Sequence, residues 1–435
     1  MTDQKLDIYI DTDKPWLVGS LYLNILKGHE SGTFIYAPSW LDSEIAFAIS
    51  PALPLTRTPF SFGGINATGQ RMPPLPAVVR DGSPDRWGRI LVNRLNKLNG
   101  KKGTTSEVDY LLALDDRTRI GALRYQKPEQ SGVFLADDRK MNIPPIIQLS
   151  ALNHAANAVL KDRETSKDLK FLLGHGSPVG GARPKSVVVD SDGQLYIAKF
   201  SKPDDTRNIA FGEILCMSLA KIARINAASA KLTKVDGQSI SIIKRFDRNP
   251  DQNRFHFMSA MTMIDAQEGQ TETYISIANA IRQVGSNPDI DLPELWSRMA
   301  FGVLVSNLDD HLRNHGFLHD RKGLWRLSPA YDINPVPRSE REPYLETWID
   351  EDGPEASIEK VLQNHIHFGL TIEQARSRLE TIAQVCSDWH MVAKSALHAK
   401  SSDIDDFASA FDSQEIAKAL KLSQKSVNLS ISPGD

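Results

Sequence analysis

Near the start of the chain Leu6, Ile8 and Ile10 alternate with Asp7, Tyr9 and Asp11, and Trp16 to Tyr22 repeats the rhythm. A period of two puts one set of side chains on one face of a strand, so residues 5–60 predict short strands and turns. The prolines from Pro51 to Pro59 and the glycines at 63–64 break that regularity, and the spacing then becomes helical. Asp81-Gly82-Ser83-Pro84 predicts a turn into a helix, with Ser83 as N-cap and Pro84 at the first helical position. Trp87, Ile90, Leu91 and Leu95 would form the apolar stripe of that helix. A Lys- and Gly-rich loop at 97–105, a short helix at 108–114 and a strand through 121–125 follow, and the polar stretch 127–145 marks a boundary.

Beyond it, 146–160 reads as a helix, 186–190 and 195–200 as strands around the turn Ser191-Asp192-Gly193, and 239–244 as a further strand. A helix of about five turns is expected over 207–223. From 255 the chain is mainly helical, with a loop-like island at 306–340. The predicted class is α+β, with a β-rich N-terminal domain (1–145) docked on a strand-rich lobe (146–250) and a helical lobe (251–435).

Composition changes this picture little. At 435 residues the chain exceeds one compact core, and 41% hydrophobic with 24% charged residues is ordinary for a globular protein. A net charge of −3 gives no global case for nucleic-acid binding. The two cysteines, Cys216 and Cys386, offer neither a disulfide framework nor a thiolate metal site, which fits a reducing compartment. The first residues lack a basic n-region and an apolar h-region, and no apolar run approaches the ~20 residues that span a bilayer. A cytoplasmic protein without membrane association is expected.

The chemistry concentrates in Asn307-Leu308-Asp309-Asp310-His311-Leu312-Arg313-Asn314, followed by Tyr331-Asp332-Ile333. An amphipathic helix carrying Leu295, Trp296, Met299, Val303 and Leu304 precedes it, so the polar run begins where a buried helix ends. Phosphoryl transfer needs a carboxylate to orient or deprotonate the attacking hydroxyl, and oxygen ligands for magnesium on the phosphates. Asp309 and Asn314 have the D-x-x-x-x-N spacing of protein kinases, which Asp310 and Asn314 do not, and Asp332 supplies a second acidic ligand. Upstream lies a glycine-rich loop, Gly174 to Lys185, whose amides could approach phosphates. It matches neither G-x-G-x-x-G nor G-x-x-x-x-G-K-[ST], which argues against Rossmann and P-loop enzymes. Lys199 shares a strand face with Leu195 and Ile197, and Glu213 lines up with Ile209, Met217 and Ala220 on the next helix. A charge on each apolar face is costly unless the two pair, as the ATP-holding Lys–Glu pair of kinases does. The strand 240–244 then leads into Arg245-Phe246-Asp247-Arg248, where a kinase chain crosses between lobes.

Taken together these residues resemble the HipA family of bacterial serine/threonine kinases, toxins of two-gene toxin–antitoxin modules. The resemblance rests on Ser83-Pro84-Asp85-Arg86-Trp87-Gly88-Arg89, on Gly180-Gly181-Ala182-Arg183-Pro184-Lys185, on the Lys244–Arg248 run, and on the Asn307–Asn314 and Tyr331–Pro335 segments. It implies Asp309 as catalytic base, Asn314 and Asp332 as magnesium ligands, and Lys199, backed by Glu213, on the ATP phosphates. It also implies residues 180–185 as a cover over those phosphates, His311 and Tyr331 lining the nucleotide site, and Lys244, Arg245 and Phe246 against the base. A helix-turn-helix antitoxin that neutralises the kinase, operator DNA bound mainly through that antitoxin, and aminoacyl-tRNA synthetase targets whose phosphorylation halts growth are further implications. Family members commonly autophosphorylate a serine of the glycine loop. Here Pro178 occupies the matching position, and Ser177, one place earlier, is the remaining candidate.

Three other readings compete. His311, His315 and His319 recur every four residues, as zinc ligands on a helix can, but Gly316 interrupts that helix and no H-E-x-x-H accompanies them. A small-molecule or lipid kinase would share the Asp–Asn–Asp set, although the N-terminal module argues for a protein kinase. A non-catalytic regulatory scaffold would usually have lost one of Lys199, Asp309, Asn314 and Asp332, all of which are present.

Overall fold

The computed structural model describes residues 2–424 apart from 27–28, 67–68, 102, 131, 136–142, 174–180, 182 and 321–322. Strands β1 (Thr2–Asp11), β2 (Pro15–Leu26), β3 (His29–Tyr36), β4 (Phe60–Gly63) and β5 (Leu123–Gln126) form an antiparallel sheet in the order β4-β3-β2-β1-β5. The alternation expected from the sequence is realised: Leu6, Ile8 and Ile10 of β1 are buried together. A bulge at Val18 of β2 shifts the register opposite Ile8 and Tyr9.

Helix α1 (Arg86–Leu98) starts two residues later than the turn signal predicted. Its cap is Asp85, whose Oδ1 accepts from the Gly88 amide at 2.8 Å, rather than Ser83. The buried stripe is Trp87, Leu91 and Val92, with Ile90 and Leu95 only half-buried. The helix turns this face onto α2 (Leu149–Leu160) and α3 (Ser166–Leu173), the second of which the sequence reading missed.

The second sheet, in the order β6-β7-β9-β8, contains β6 (Lys185–Val189), β7 (Leu195–Phe200), β8 (Ala230–Val235) and β9 (Gln238–Lys244). Helix α4 (Ile209–Ile222), capped by Asn208, is 14 residues long, about four turns rather than five. It is buried on nearly every side because it lies between β9 and the helices Ile372–Ser387 and Trp389–Leu397. The remaining chain is helical around α5 (Pro288–Leu304). A small antiparallel sheet of β10 (Phe257–Ser259), β11 (Gly316–His319) and β12 (Trp325–Leu327) sits in what the sequence read as a loop-like island and its approach.

Two apolar clusters organise the molecule. One joins Trp87 and Leu91 of α1 to Leu152, Leu169, Val188, Phe200 and Ile242, so α1 packs with the second sheet. The other runs from the first sheet (Leu21, Phe34) to the helical part (Leu304, Ile382). A buried seam of charge adds to this joint. The Arg245 guanidinium grips Asp247 with two contacts of 2.6 Å and donates to the carbonyls of Thr118 and Arg119. Arg248 donates to Asp247 at 2.6 Å and to the Arg119 carbonyl at 2.8 Å, and Arg254 reaches Asp116 at 3.1 Å. Buried polar groups persist only when so satisfied. Among the described residues no helix is long and apolar enough to cross a membrane.

Candidate active site

The polar run at 307–314 leaves the core where α5 ends. Val305 closes the helix, and Ser306 takes a left-handed conformation (φ 55°) while its hydroxyl donates to the Ala410 carbonyl at 2.8 Å. Asn307 stays buried and accepts the Asn334 amide at 3.0 Å, which ties this loop to the one carrying Asp332. Asn314 donates its Nδ2 to the Asp309 carbonyl at 3.2 Å. Its Oδ1, an acceptor suited to a hard cation, makes no hydrogen bond among the described residues. The Asp309 carboxylate is 67% exposed, with Arg341 at 3.7 Å. Enclosure by the cleft and the charges of Asp332 and Glu346 raise its pKa against the opposing pull of His311 and Arg341.

On the far side of the cleft Lys199 projects from β7. Its Nζ lies 2.5 Å from Glu213 of α4 and 2.5 Å from Asp332. The paired charges inferred from the apolar faces therefore do meet, and a third group joins them. Burial disfavours the ammonium, but Asp332 and Glu213 more than offset this and raise its pKa. Burial also works against the Asp332 carboxylate, yet Lys199, Lys185 and a hydrogen bond from Asn334 hold it well below the usual carboxylate range. Asp332 sits at φ 57°, a left-handed conformation that Asp tolerates better than most residues, and its Oδ2 has no partner among the described residues.

Ile197, Ile243, Lys244, Phe246, Tyr331 and Asp332 line one slot with Lys199 at its end. Ile120 from the N-terminal part also walls it, a contribution no motif announced. The Phe246 and Tyr331 rings lie 5.4 Å apart, and Tyr331 donates to the Arg313 carbonyl at 2.7 Å. Apolar walls with a cation and carboxylate at one end suit a planar base bearing phosphates. Arg245 lines the slot as well. Its guanidinium is committed to Asp247 and to residues 118–119, and its amide donates to the Leu195 carbonyl.

The glycine loop is partly placed. Ser177, Gly180 and Ala182 lie outside the described residues. Gly181 adopts φ 106°, which only glycine takes readily, and an added Cβ would come within 3.3 Å of the Lys185 Nζ. Arg183 is held bidentately by Asp205 at 2.8 and 2.5 Å. Pro184 accepts the Phe200 amide at 2.9 Å. Lys185 is buried against Asp85, 2.7 Å away, the carboxylate that also caps α1. The two cations expected to cover phosphates are thus turned onto carboxylates.

Asp310 was set aside by the spacing argument, and the structure shows what it does. It is buried, accepts the Tyr274 hydroxyl and lies 3.1 Å from His315 Nε2, bracing the loop from behind. The three histidines do not share a helical face. His311 and His315 flank a single turn of 3-10 helix, and His319 lies on β11 stacked on Phe47 with ring centroids 3.6 Å apart. Among the described residues no group of three or more His, Cys, Asp or Glu side chains is placed to hold a metal.

Comparison with known proteins agrees with this geometry. The family model described as HipA N-terminal domain matches residues 8–126, and the HipA-like C-terminal domain matches residues 177–390. A Sinorhizobium fredii protein named "Putative kinase Y4mE" is 25% identical over 323 residues, 69% of this chain and 71% of its own. A Haemophilus influenzae protein named "Putative kinase" is 27% identical over 187 residues, 37% of this chain and 54% of its own. Among solved structures, HipA of Shewanella oneidensis MR-1, determined with HipB and operator DNA, superposes with a TM-score of 0.63 over 96% of both chains at 17% identity, a likeness of fold. With both of its parts matched and this fold shared, the chain belongs to the HipA family of kinase-like proteins.

Proposed function

We propose that this protein is an ATP- and magnesium-dependent serine/threonine-protein kinase acting as the toxin of a toxin–antitoxin pair. The observation that carries the reading is Lys199, held between Glu213 and Asp332 at 2.5 Å each, on the opposite wall from a loop with Asp309 five residues before Asn314. Bound ATP and magnesium would supply the phosphoryl group and neutralise its charge. The donor set fits them: Asp332 Oδ2 and Asn314 Oδ1 are acceptors without other partners among the described residues, and Lys199 would sit against the phosphates.

In this mechanism Asp309 accepts the proton of the substrate hydroxyl, a role served by its exposure and raised pKa. Asn314 fixes the Asp309 backbone through the Asp309 carbonyl. Glu213 keeps Lys199 charged and aimed, and Ile197, Ile243, Phe246 and Tyr331 exclude water from around the base. Residues 1–145, 146–250 and 251–435 would act as regulatory module, nucleotide lobe and catalytic lobe. The family and the HipB-bound relative support a HipB-like helix-turn-helix antitoxin as partner, contact with operator DNA through it, and action in the bacterial cytoplasm. An aminoacyl-tRNA synthetase as target and Ser177 as autophosphorylation site complete the proposal.

The test mixes purified protein, magnesium, γ-labelled ATP and bacterial cytosolic extract, with Asp309→Gln beside it. Label on a band of synthetase size, absent with the variant, supports both kinase and target. Label confined to the protein itself supports the kinase, and Ser177→Ala then decides the modified residue. A folded, ATP-binding protein that transfers no label sinks the proposal.

A further inference from the structure

A second and larger cavity, about 560 Å³, separates residues 71–89 of the N-terminal part from His311, Arg313 and Tyr331 beside the catalytic loop. It shares Ile120 and Tyr331 with the nucleotide slot. Five arginines and four carboxylates line it. Each carboxylate on its wall already has a partner. Asp81 accepts from the Ser259 amide and hydroxyl at 2.8 and 2.9 Å, and Asp85 holds Lys185. Glu107 is gripped by Arg89 at 2.7 Å through both oxygens, and Glu268 takes Arg313 at 2.9 Å. Three arginines on the wall remain. The side chains of Arg71, Arg80 and Arg86 make no ion pair or hydrogen bond among the described residues.

Arg80 is the most telling of them. It is half-buried, and its Nε is shielded from solvent without a hydrogen-bond partner. Burial lowers its pKa and the charge of Arg313 lowers it further, while Asp81, Glu107 and Glu268 pull the other way without offsetting them. A guanidinium N–H shielded from water without an acceptor is costly alone and favourable once an anion supplies one.

We propose that this cavity is a substrate subsite that takes a carboxylate or phosphate carried by the target polypeptide near its acceptor hydroxyl, with Arg80 as the specificity-determining contact. The proposal rests on the kinase reading and names the substrate class, a serine or threonine flanked by acidic residues. The location favours substrate over nucleotide as the source of the anion. Lys199 and Asp332 lie in the other slot, while this cavity opens beside His311, two residues from Asp309.

The test measures binding, so it does not depend on catalysis. A fluorescent serine peptide flanked by Asp and Glu, and its Asn and Gln counterpart, are titrated into full-length Asp309→Gln protein. A charge-assisted hydrogen bond of roughly 1.5–3 kcal/mol predicts acidic-peptide binding about tenfold tighter or more. Adding Arg80→Gln should remove that preference, and Arg86→Gln should reduce it, with ATP affinity unchanged in both. The two peptides binding alike, or a preference that survives both substitutions, overturns the subsite. So does an Arg80→Gln effect on ATP instead of peptide, which would assign the anion to the nucleotide. If the wild-type protein transfers no phosphate yet the acidic preference holds, the kinase reading fails and the subsite stands.

Discussion

The Asp85–Lys185 contact invites the sharpest perturbation, because one carboxylate performs two separable tasks. Oδ1 accepts the Gly88 amide at 2.8 Å and caps α1, while Oδ2 meets the Lys185 ammonium at 2.7 Å. Both side chains are almost fully enclosed, at 3% and 2% exposure. Burial pushes the Asp85 carboxyl up, against the attraction of Lys185. Three variants separate the contributions. Asp85→Asn keeps the cap but removes the counter-charge from a buried ammonium, at a cost of about 3 kcal/mol or more. Asp85→Ala also removes the cap and should lose roughly 1 kcal/mol further. Asp85→Leu with Lys185→Met deletes both charges and should regain most of the first loss, since apolar replacement of a buried pair is often close to neutral.

Urea unfolding followed by tryptophan fluorescence provides the assay, as Trp87 lies in the first turn of the capped helix. The expected order of stability is wild type, then the double variant, then Asn, then Ala. Asn and Ala variants within 1 kcal/mol of the wild type would refute the argument. With Asp85→Leu and Lys185→Met also made singly, a double variant whose loss equals the sum of theirs would show that the two groups are not coupled.

Three further outcomes are expected. Lys199→Met should lower phosphate transfer about 10²–10³-fold, the cost of removing one preorganised charge at a reacting centre, measured with labelled ATP at saturating concentration. Transfer within threefold of wild type would detach Lys199 from the chemistry. Asp247→Asn leaves Arg245 and Arg248 without their shared carboxylate and should cost about 3 kcal/mol or more, with faster hydrogen exchange at 115–124 and 245–254. Unchanged exchange in both segments would mean the seam carries no stability. His256 is buried with Nε2 3.0 Å from the Ile49 carbonyl, and burial pushes its pKa from 6.5 down to about 4. Its stabilising effect is complete above pH 6.5 and drains away as the pH falls toward 4, about 3 kcal/mol in all, so His256→Gln should flatten the unfolding profile in that window.

The site was legible in the sequence where burial and charge conflict. Lys199 and Glu213 each stand on an apolar face, and the only inexpensive resolution is for them to meet. Asp309, Asn314 and Asp332 stand out in the sequence because their spacing is set by one loop and one turn. Arg245 lines the slot, but position along a chain does not say which way a side chain leaves a strand end. Its guanidinium finds carbonyls at 118–119, more than 120 residues earlier in sequence. Strand β8 escaped notice because, as an edge strand, it is partly exposed on both faces and its alternation is weak. The eight-residue α3 was overlooked because two turns give a periodic pattern little room.

The least legible feature is also the one that unifies the molecule. From the N-terminal part inward, Asp85, Lys185, Asp332, Lys199 and Glu213 alternate in sign, each within electrostatic reach of the next. Asp332, proposed to hold the metal, therefore sits third in a buried row whose first member belongs to the cap of α1. The members of such a row depend on one another, because removing one weakens the compensation of the buried charges beside it. The same N-terminal part supplies Ile120 to the nucleotide slot and the carbonyls that satisfy Arg245 and Arg248. A module built into the site through charge, wall and seam is placed to influence the chemistry through the position of Asp85, without any catalytic group of its own.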